Sequence, residues 1–199
     1  MKGEDILKRL SDQYEKIIKK NYIYQIDGGI KLEIVFKKRN FPHLIGLHKL
    51  IDIPDLKKLS NKTGQADIVY RNIRNDKLTY EIISKSKHFS EIKDRIESFK
   101  EIDRILETSE LIINFNKETL KKETKMETEL KSNVILYTKI KEKYIHLCVV
   151  KSKGSVYPES FFPRNDNNYI KGQTKRNIIK KDILEFKLEK KGRKRKVSI

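Results

Sequence analysis

The stretch NVILYTKIKEKYIHLCVVK, residues 133–151, decides the fold class of this chain. Two runs, 133–140 and 143–151, are rich in β-branched and aromatic residues and flank a short charged connection. Runs of this kind around a short connection are typical of paired antiparallel strands. The sequence therefore predicts an antiparallel sheet in the second half of the chain.

A helix and a hairpin precede this pair at the N-terminal end. Apolar residues recur at steps of three and four over residues 4–20, which predicts an amphipathic helix. Two alternating runs, 22–26 and 30–36, flank Asp27-Gly28-Gly29. This pattern predicts a β-hairpin.

The central part of the chain is expected to be mainly helical. Short helices are predicted at 54–60, where Pro54 supplies a start signal, and at about 66–73. The clearest helix spans 90–107, with Ser90 as its cap. Residues 41–50, FPHLIGLHKL, predict a structured loop that leads into a helix, and residues 76–85 fit either a strand or a helix.

The remaining strands complete an α+β plan. LIINF at 111–115 predicts a short buried strand, residues 182–190 predict a last strand, and two prolines in 154–169 predict an interrupted apolar piece. Residues 116–131 are charged and weakly patterned. The predicted architecture is an N-terminal helix and hairpin, central helices and then an antiparallel sheet. We expect one domain over residues 1–190 and a basic C-terminal tail over 191–199.

The charge of the chain points to a polyanionic partner. It has 46 Lys and Arg residues against 28 Asp and Glu residues, a net charge of +18, and residues 171–199 alone carry +9. Nucleic acid is favoured over an anionic membrane because no basic amphipathic helix adjoins the tail. No run of 18 apolar residues and no apolar signal segment occurs, so we expect a cytoplasmic protein. The single cysteine, Cys148, excludes a disulfide framework.

Two of the four histidines are candidates for acid–base chemistry. His43 and His48 lie five residues apart in FPHLIGLHKL, and imidazole can accept or donate a proton near neutral pH. Either could instead cap a helix or bond the backbone. His88 is expected in a solvated loop and His146 in the sheet core. The sequence has no HExxH, C-x-x-C or DxD pattern, so neither a metal site nor a cofactor is predicted.

RNA cleavage fits these residue types because RNA carries its own nucleophile. A base removes the proton of a ribose 2′-hydroxyl, which attacks the adjacent phosphate, while cations stabilise the added charge and an acid protonates the leaving oxygen. We therefore expect a cationic cleft in which an imidazole from the early loop meets groups from the late strands.

Four features together resemble a known group of proteins. FPHLIGLHKL after a hairpin, D-R-I at 94–96, the two late strands and P-E-S-F-F at 158–162 are similar to the phage-borne nuclease-like families of the barnase, EndoU, colicin and RelE superfold, in particular the fourth phage group. The resemblance covers about residues 20–170. It implies a RelE- or barnase-like fold and metal-independent ribonuclease activity, in a toxin, phage or mobile-element setting.

The resemblance also implies roles for three residues. His43 is the expected general base or general acid, Arg95 the phosphate contact, and Ser160 a hydrogen-bonding partner of the substrate. Secondary catalytic candidates, chosen because they lie near these motifs in the sequence, are His48, Lys49 and Lys151.

Structural roles for the same residues stay open at this point. Arg95 could pair with Glu91 or Glu97 on its own helix, and Ser160 could be a turn or cap residue. The two phenylalanines of the S-F-F motif are better explained as core residues than as groups that stack on bases.

RNA, including tRNA or mRNA, is the expected partner, and a toxin would also have an antitoxin or immunity partner that masks its basic surface. Candidate contacts to nucleic acid are Lys49, Arg164, Lys171, Lys175, Arg176, Arg193, Lys194 and Arg195. A non-catalytic basic module that binds RNA or DNA is the alternative function, because it explains the charge equally well. A phage protein that mimics nucleic acid is disfavoured, since such mimics are usually acidic.

Overall fold

The structure is a computed structural model that describes residues 5–59, 64–108, 110–152 and 155–186. Its helices are α1 (Ile6–Ile17), α2 (Asn40–Leu44), α3 (Pro54–Lys57), α4 (Gln65–Arg74), α5 (Tyr80–Ser84), α6 (Ser90–Ser98), α7 (Ile102–Leu106) and α8 (Lys117–Thr124). Its strands are β1 (Lys20–Ile26), β2 (Ile30–Val35), β3 (Glu110–Ile113), β4 (Val134–Ile140), β5 (Lys143–Ser152), β6 (Ser155–Arg164) and β7 (Lys175–Glu185). The tail predicted for 191–199 lies outside the described residues.

The seven described strands form one antiparallel sheet in the order β2-β1-β7-β3-β4-β5-β6. The last strand joins the two halves of the sheet, because β7 pairs with β1 on one side and with β3 on the other. The edge strands β2 and β6 also contact each other, so the sheet is curled. The predicted α+β class, the N-terminal hairpin and the antiparallel pairing of β4 with β5 are confirmed.

The main core lies between the helices and one face of this sheet, and aromatic rings connect it to the edge strand. Tyr14 of α1 lies 5.1 Å from Phe41 of α2, measured between ring centroids, and Phe41 lies 5.4 Å from Phe99. Phe99 in turn lies 5.1 Å from Phe161 of β6. All four side chains are buried, so this chain of contacts fixes α2 and the turn after α6 against β6.

A smaller core covers the opposite face of β3, β4, β5 and β6. Alternation along the strands sends Cys148 and His146 to this face, whereas Leu147 and Val149 enter the main core. Helix α8 contributes only Leu120 to it as a buried residue, which explains why the charged pattern of 116–131 did not predict a helix. No helix among the described residues is long and apolar enough to cross a membrane.

Two predicted elements before β3 differ from the observed ones. Residues 41–50 begin as helix α2 and end as a 3-10 turn at Leu47–Lys49, rather than as a loop. The helix predicted at 90–107 ends at Ser98, and a 3-10 turn precedes α7. Buried residues at 96, 99, 102 and 105 repeat every three positions, as a 3-10 turn requires. Ser90 is the first residue of α6 and not its cap.

Two strands in the second half also differ from their predictions. Strand β7 begins at Lys175, seven residues before the predicted start, because its first part pairs with β3. Strand β6 runs unbroken from Ser155 to Arg164 although it contains Pro158 and Pro163. A strand at the edge of a sheet tolerates proline because one of its sides has no ladder partner.

Candidate active-site cleft

A cleft of about 710 Å³ lies where α2 and α6 meet the edge strand β6. Its remaining walls are residues 127–130, which precede β4, the end of β6 at Pro163 and Arg164, and Tyr169 beyond it. The predicted site residues that line it are His43, His48, Lys49, Arg95, Ser160 and Arg164. Segments far apart in sequence therefore converge on one cleft.

Arg95 is a half-buried cation of this cleft. Its Nη1 donates a hydrogen bond to Ser160 Oγ at 3.3 Å, and its guanidinium carbon lies 5.7 Å from the centroid of the Phe162 ring. Among the described residues, no carboxylate lies within 4 Å of the Arg95 guanidinium. Burial lowers the pKa of Arg95, but a guanidinium stays charged at neutral pH. A partly desolvated charge without a counterion is unfavourable, so this position is suited to bind an anion.

The acidic neighbours of Arg95 on α6 are engaged elsewhere. Glu97 pairs with Lys93 at 3.9 Å, and Asp94 pairs with Lys143 at 3.8 Å. Glu91 contacts Lys49 at 3.7 Å and His88 at 2.9 Å. The alternative in which Arg95 pairs with Glu91 or Glu97 is therefore wrong.

Ser160 faces the cleft because of a β-bulge in the edge strand. Cys148 pairs with Ser160 and the next residue, Val149, pairs with Pro158, so Glu159 is an extra residue in β6. The bulge places Pro158 opposite a residue of the main core but Ser160 opposite a residue of the smaller core. Ser160 is therefore a strand residue, and the turn or cap role considered for it is wrong.

Gly46 allows the histidine segment to contact α6 closely. It adopts φ = +83° between α2 and the 3-10 turn. A Cβ atom at this position would lie 2.9 Å from Ile92 Cγ2 and 3.1 Å from Arg95 Cδ. The positive φ and the short distance to α6 both require glycine at this position. The backbone of Gly46 therefore packs next to the side chain of Arg95.

The two histidines on either side of Gly46 are near one another and lack charge at neutral pH. The ring centroids of His43 and His48 are 5.5 Å apart. Burial lowers the pKa of His43, and burial together with electrostatic repulsion from the protonated form of His43 and from Arg95 lowers the pKa of His48 to about 4. His48 Nδ1 is buried and has no hydrogen-bond partner among the described residues. Both imidazoles can therefore accept a proton at neutral pH.

The charge of the cleft differs from the prediction. Its lining contains three Lys and Arg residues, Lys49, Arg95 and Arg164, but five acidic residues, Glu91, Asp94, Glu127, Glu129 and Glu159. Arg164 is also neutralised, because it bonds Asp166 at 2.7 Å. The prediction of a cationic cleft is therefore wrong for the lining as a whole. The cation that has no carboxylate partner among the described residues, Arg95, lies next to Ser160.

An acidic segment, residues 126–131, forms one wall of the cleft, and we call it the strap. The Oε2 atom of Glu159 accepts hydrogen bonds from the backbone N–H groups of Lys131, at 3.1 Å, and Ser132, at 2.8 Å. At the other end, Asn168 Nδ2 donates to Met126 Sδ at 3.1 Å. The bulged Glu159 therefore holds one end of the strap at the wall of the cleft, a role that the P-E-S-F-F motif did not predict.

The remaining sequence-predicted residues do not line this cleft. Lys151 is exposed on β5, where its backbone N–H bonds the side chain of Asn133 at 2.8 Å. Lys171 lies 3.9 Å from Glu123, Lys175 lies over the ring of Tyr137, and Arg176 lies 3.5 Å from Asp27. Arg193, Lys194 and Arg195 lie outside the described residues.

Tyr169 and Phe162 form an aromatic wall that sequence reasoning did not assign to the site. Their ring centroids are 4.9 Å apart, and both rings contact the fully buried His146. Phe161 enters the main core as expected, whereas Phe162 belongs to the smaller core and also lines the cleft. Nothing local in the sequence singles out Tyr169, because only the tertiary fold brings it to β6.

The fold and the cleft together define an α+β protein that presents an arginine, a serine and two neutral imidazoles at the edge of an antiparallel sheet. This set can bind a phosphate and move protons. The family model described as phage-Barnase-EndoU-ColicinE5/D-RelE like nuclease 4 matches residues 6–196, and the chain belongs to this family. The resemblance drawn from the motifs is thereby confirmed, and family membership supports nuclease activity on a nucleic acid substrate.

Comparisons with curated proteins and with solved structures found no match. Among the described residues, no group of three or more His, Cys, Asp or Glu residues is arranged to hold a metal ion.

Proposed function

We propose that this protein is a metal-independent endoribonuclease with a RelE- or barnase-like fold. The observation that carries the proposal is the half-buried guanidinium of Arg95, which has no carboxylate partner among the described residues and shares a cleft with Ser160 and two neutral imidazoles. Membership of the nuclease family supports the same class of activity. A toxin role in a phage or mobile element, with an antitoxin or immunity partner, is part of the proposal.

The reaction is an internal transesterification of RNA. His43 removes the proton of a ribose 2′-hydroxyl, and the bond from the 2′-oxygen to phosphorus forms. The bond from phosphorus to the 5′-oxygen breaks, and the leaving oxygen takes a proton. The products are a 2′,3′-cyclic phosphate end and a 5′-hydroxyl end. Arg95 contacts the non-bridging oxygens, whose negative charge grows in the transition state.

The second imidazole is the candidate acid. His48 is neutral in the free protein because burial and nearby cations lower its pKa to about 4. A bound phosphate has the opposite charge and raises the pKa of a neighbouring imidazole. Substrate binding therefore favours the protonated form of His48, whose Nδ1 has no partner in the described protein. This assigns His48 to the leaving 5′-oxygen and His43 to the 2′-hydroxyl.

Cleavage of labelled RNA in the presence of EDTA tests the proposal. We expect the wild-type protein to produce cyclic phosphate ends, and the His43→Ala variant to lose at least about a hundredfold in rate. His88→Gln is the matched control, since His88 is bonded to Glu91 but does not line the cleft. RNA with 2′-O-methyl groups should bind but resist cleavage.

Two outcomes contradict the proposal. Cleavage that stops in EDTA and returns with a divalent ion would replace the metal-independent reaction with a metal-assisted one. Binding without cleavage in the wild-type protein would establish the non-catalytic RNA- or DNA-binding module instead. For the toxin role, expression should arrest growth with wild-type protein and not with the His43→Ala variant.

A further inference from the structure

A second cleft adjoins the candidate active site at His43. It has a volume of about 360 Å³, within the usual range for small-molecule sites, and His43 lines both clefts. Leu59 and Ala66 give it an apolar side, and Tyr157 lies on the edge strand. The proposed catalytic base is therefore shared by the two clefts.

Tyr157 presents an aromatic ring to solvent in this second cleft. The residue is 41% exposed, whereas the other tyrosines that line a cleft, Tyr22, Tyr80 and Tyr169, are buried or half-buried. It precedes Ser160 by three residues on β6, a separation of roughly 10 Å along a strand. Asn40 Nδ2 donates to the carbonyl oxygen of Pro158 at 3.4 Å, so the strand beside Tyr157 is tied to the start of α2.

Two cationic side chains, Lys37 and Arg39, line the second cleft together with Tyr157, and only Arg39 has a carboxylate partner among the described residues. Arg39 lies 3.6 Å from Asp67. Lys37 is exposed, and its ammonium group has no carboxylate partner in the part of the chain that the structure describes. An exposed aromatic face beside a free ammonium group fits a ligand that joins a flat ring to an anion, as a nucleotide does.

We infer that the second cleft is a nucleotide subsite for single-stranded RNA, in which a base stacks on Tyr157 and a backbone phosphate contacts Lys37. The inference rests on the proposed function for the identity of the ligand. In this arrangement the second cleft holds the nucleotide next to the scissile phosphodiester. The RNA strand then passes His43 on its way from one cleft to the other. Stacking requires an unpaired base, which excludes a continuous duplex across the site.

Binding of two uncleavable oligonucleotides tests the subsite. One is a 2′-O-methylated single-stranded RNA and the other is an abasic oligodeoxynucleotide of the same length, which keeps the phosphates but lacks the bases. We expect Tyr157→Ala to weaken binding of the base-bearing oligonucleotide about tenfold and to leave the abasic one unchanged. Tyr157→Phe keeps the ring and should bind like the wild type. Lys37→Gln should weaken binding of both, and less so at high salt.

The control for a general surface effect is Ile179→Ala, which truncates an exposed apolar side chain of β7. Equal affinity of wild type and Tyr157→Ala for the base-bearing oligonucleotide would overturn the inference. An equal loss for both oligonucleotides in Tyr157→Ala would also overturn it, because the ring would then not act through bases. In cleavage assays, Tyr157→Ala should raise KM and leave kcat unchanged. Absence of cleavage in wild type would refute the proposed reaction and leave the binding result standing.

Discussion

Arg95 Nη1 donates a hydrogen bond to Ser160 Oγ over 3.3 Å, although the two residues are 65 positions apart in the chain. The bond joins α6 to the bulged edge strand, and the Phe162 ring flanks the same guanidinium. The arginine is thus held in place before a substrate arrives, so in the proposed reaction it needs little reorganisation when charge develops on the phosphate.

The first prediction concerns this guanidinium. Arg95→Gln should lower kcat about a hundred- to a thousandfold, because a fixed donor to the transition state is lost. Arg95→Lys should recover only part of the rate, since an ammonium group cannot replace the planar fork. Arg104→Gln, which removes an exposed arginine of α7, is the matched control. Single-turnover cleavage of RNA measures the effect, and equal rates for Arg95→Gln and Arg104→Gln would contradict it.

The second prediction concerns Gly46. Gly46→Ala should destabilise the protein by about 2–4 kcal/mol, because a Cβ at φ = +83° would clash with Ile92 and Arg95. Gly28→Ala has a similar backbone strain, at φ = +75°, but meets no atom within 4 Å, and should cost about 1 kcal/mol. Urea unfolding measures both. Similar losses for the two variants would show that the close contact with α6 is unimportant.

The third prediction concerns the strap. Glu129 is exposed and lines the cleft, so its charge opposes a polyanionic substrate. Glu129→Gln should tighten RNA binding about two- to fivefold at low ionic strength, and the gain should shrink as salt screens the charge. Glu118→Gln, on α8 away from the cleft, is the charge-matched control. An unchanged Kd for Glu129→Gln at low salt would show that substrate does not approach the strap.

The fourth prediction concerns pH and the smaller core. Burial lowers the pKa of His146 to about 4, whereas an unfolded histidine has a pKa near 6.5. Between these values the unfolded chain binds a proton that the folded protein does not, so stability falls as the pH drops from 6.5 to 4. His146 alone should account for about 2 kcal/mol of loss at pH 5.

The control for this effect is a variant without the imidazole. Between pH 7.5 and pH 5, the free energy of unfolding of His146→Leu should fall by about 2 kcal/mol less than that of the wild type, as measured by urea unfolding. Other groups titrate in both proteins and cancel in the comparison. Parallel pH profiles would mean that His146 is protonated in the folded protein.

Local patterns in the sequence explain much of the fold, and long-range pairing explains the remainder. Alternation predicted the hairpin and the pairing of β4 with β5, because adjacent strands in sequence pair with each other. The central position of β7 could not be predicted in this way, since its partners β1 and β3 are distant in sequence. Strand β6 was missed because its prolines signal a turn except at an edge.

The candidate site follows the same division. Motif reasoning brought His43, Arg95 and Ser160 together, and the cleft contains all three. Lys151 was predicted because it is near these motifs in the sequence, but it lies on β5 outside the lining of the cleft. The strap and Tyr169 reach the site only through tertiary contacts, so no local pattern indicates them.

The two prolines of β6 bear on how the protein behaves at high concentration. A sheet edge can recruit a strand from another copy, and proline has no N–H group to donate to such a strand. The bulge at Glu159 further interrupts the regular spacing that an incoming strand would have to match. The two prolines and the bulge therefore disfavour pairing of β6 with a strand from a second copy of the chain.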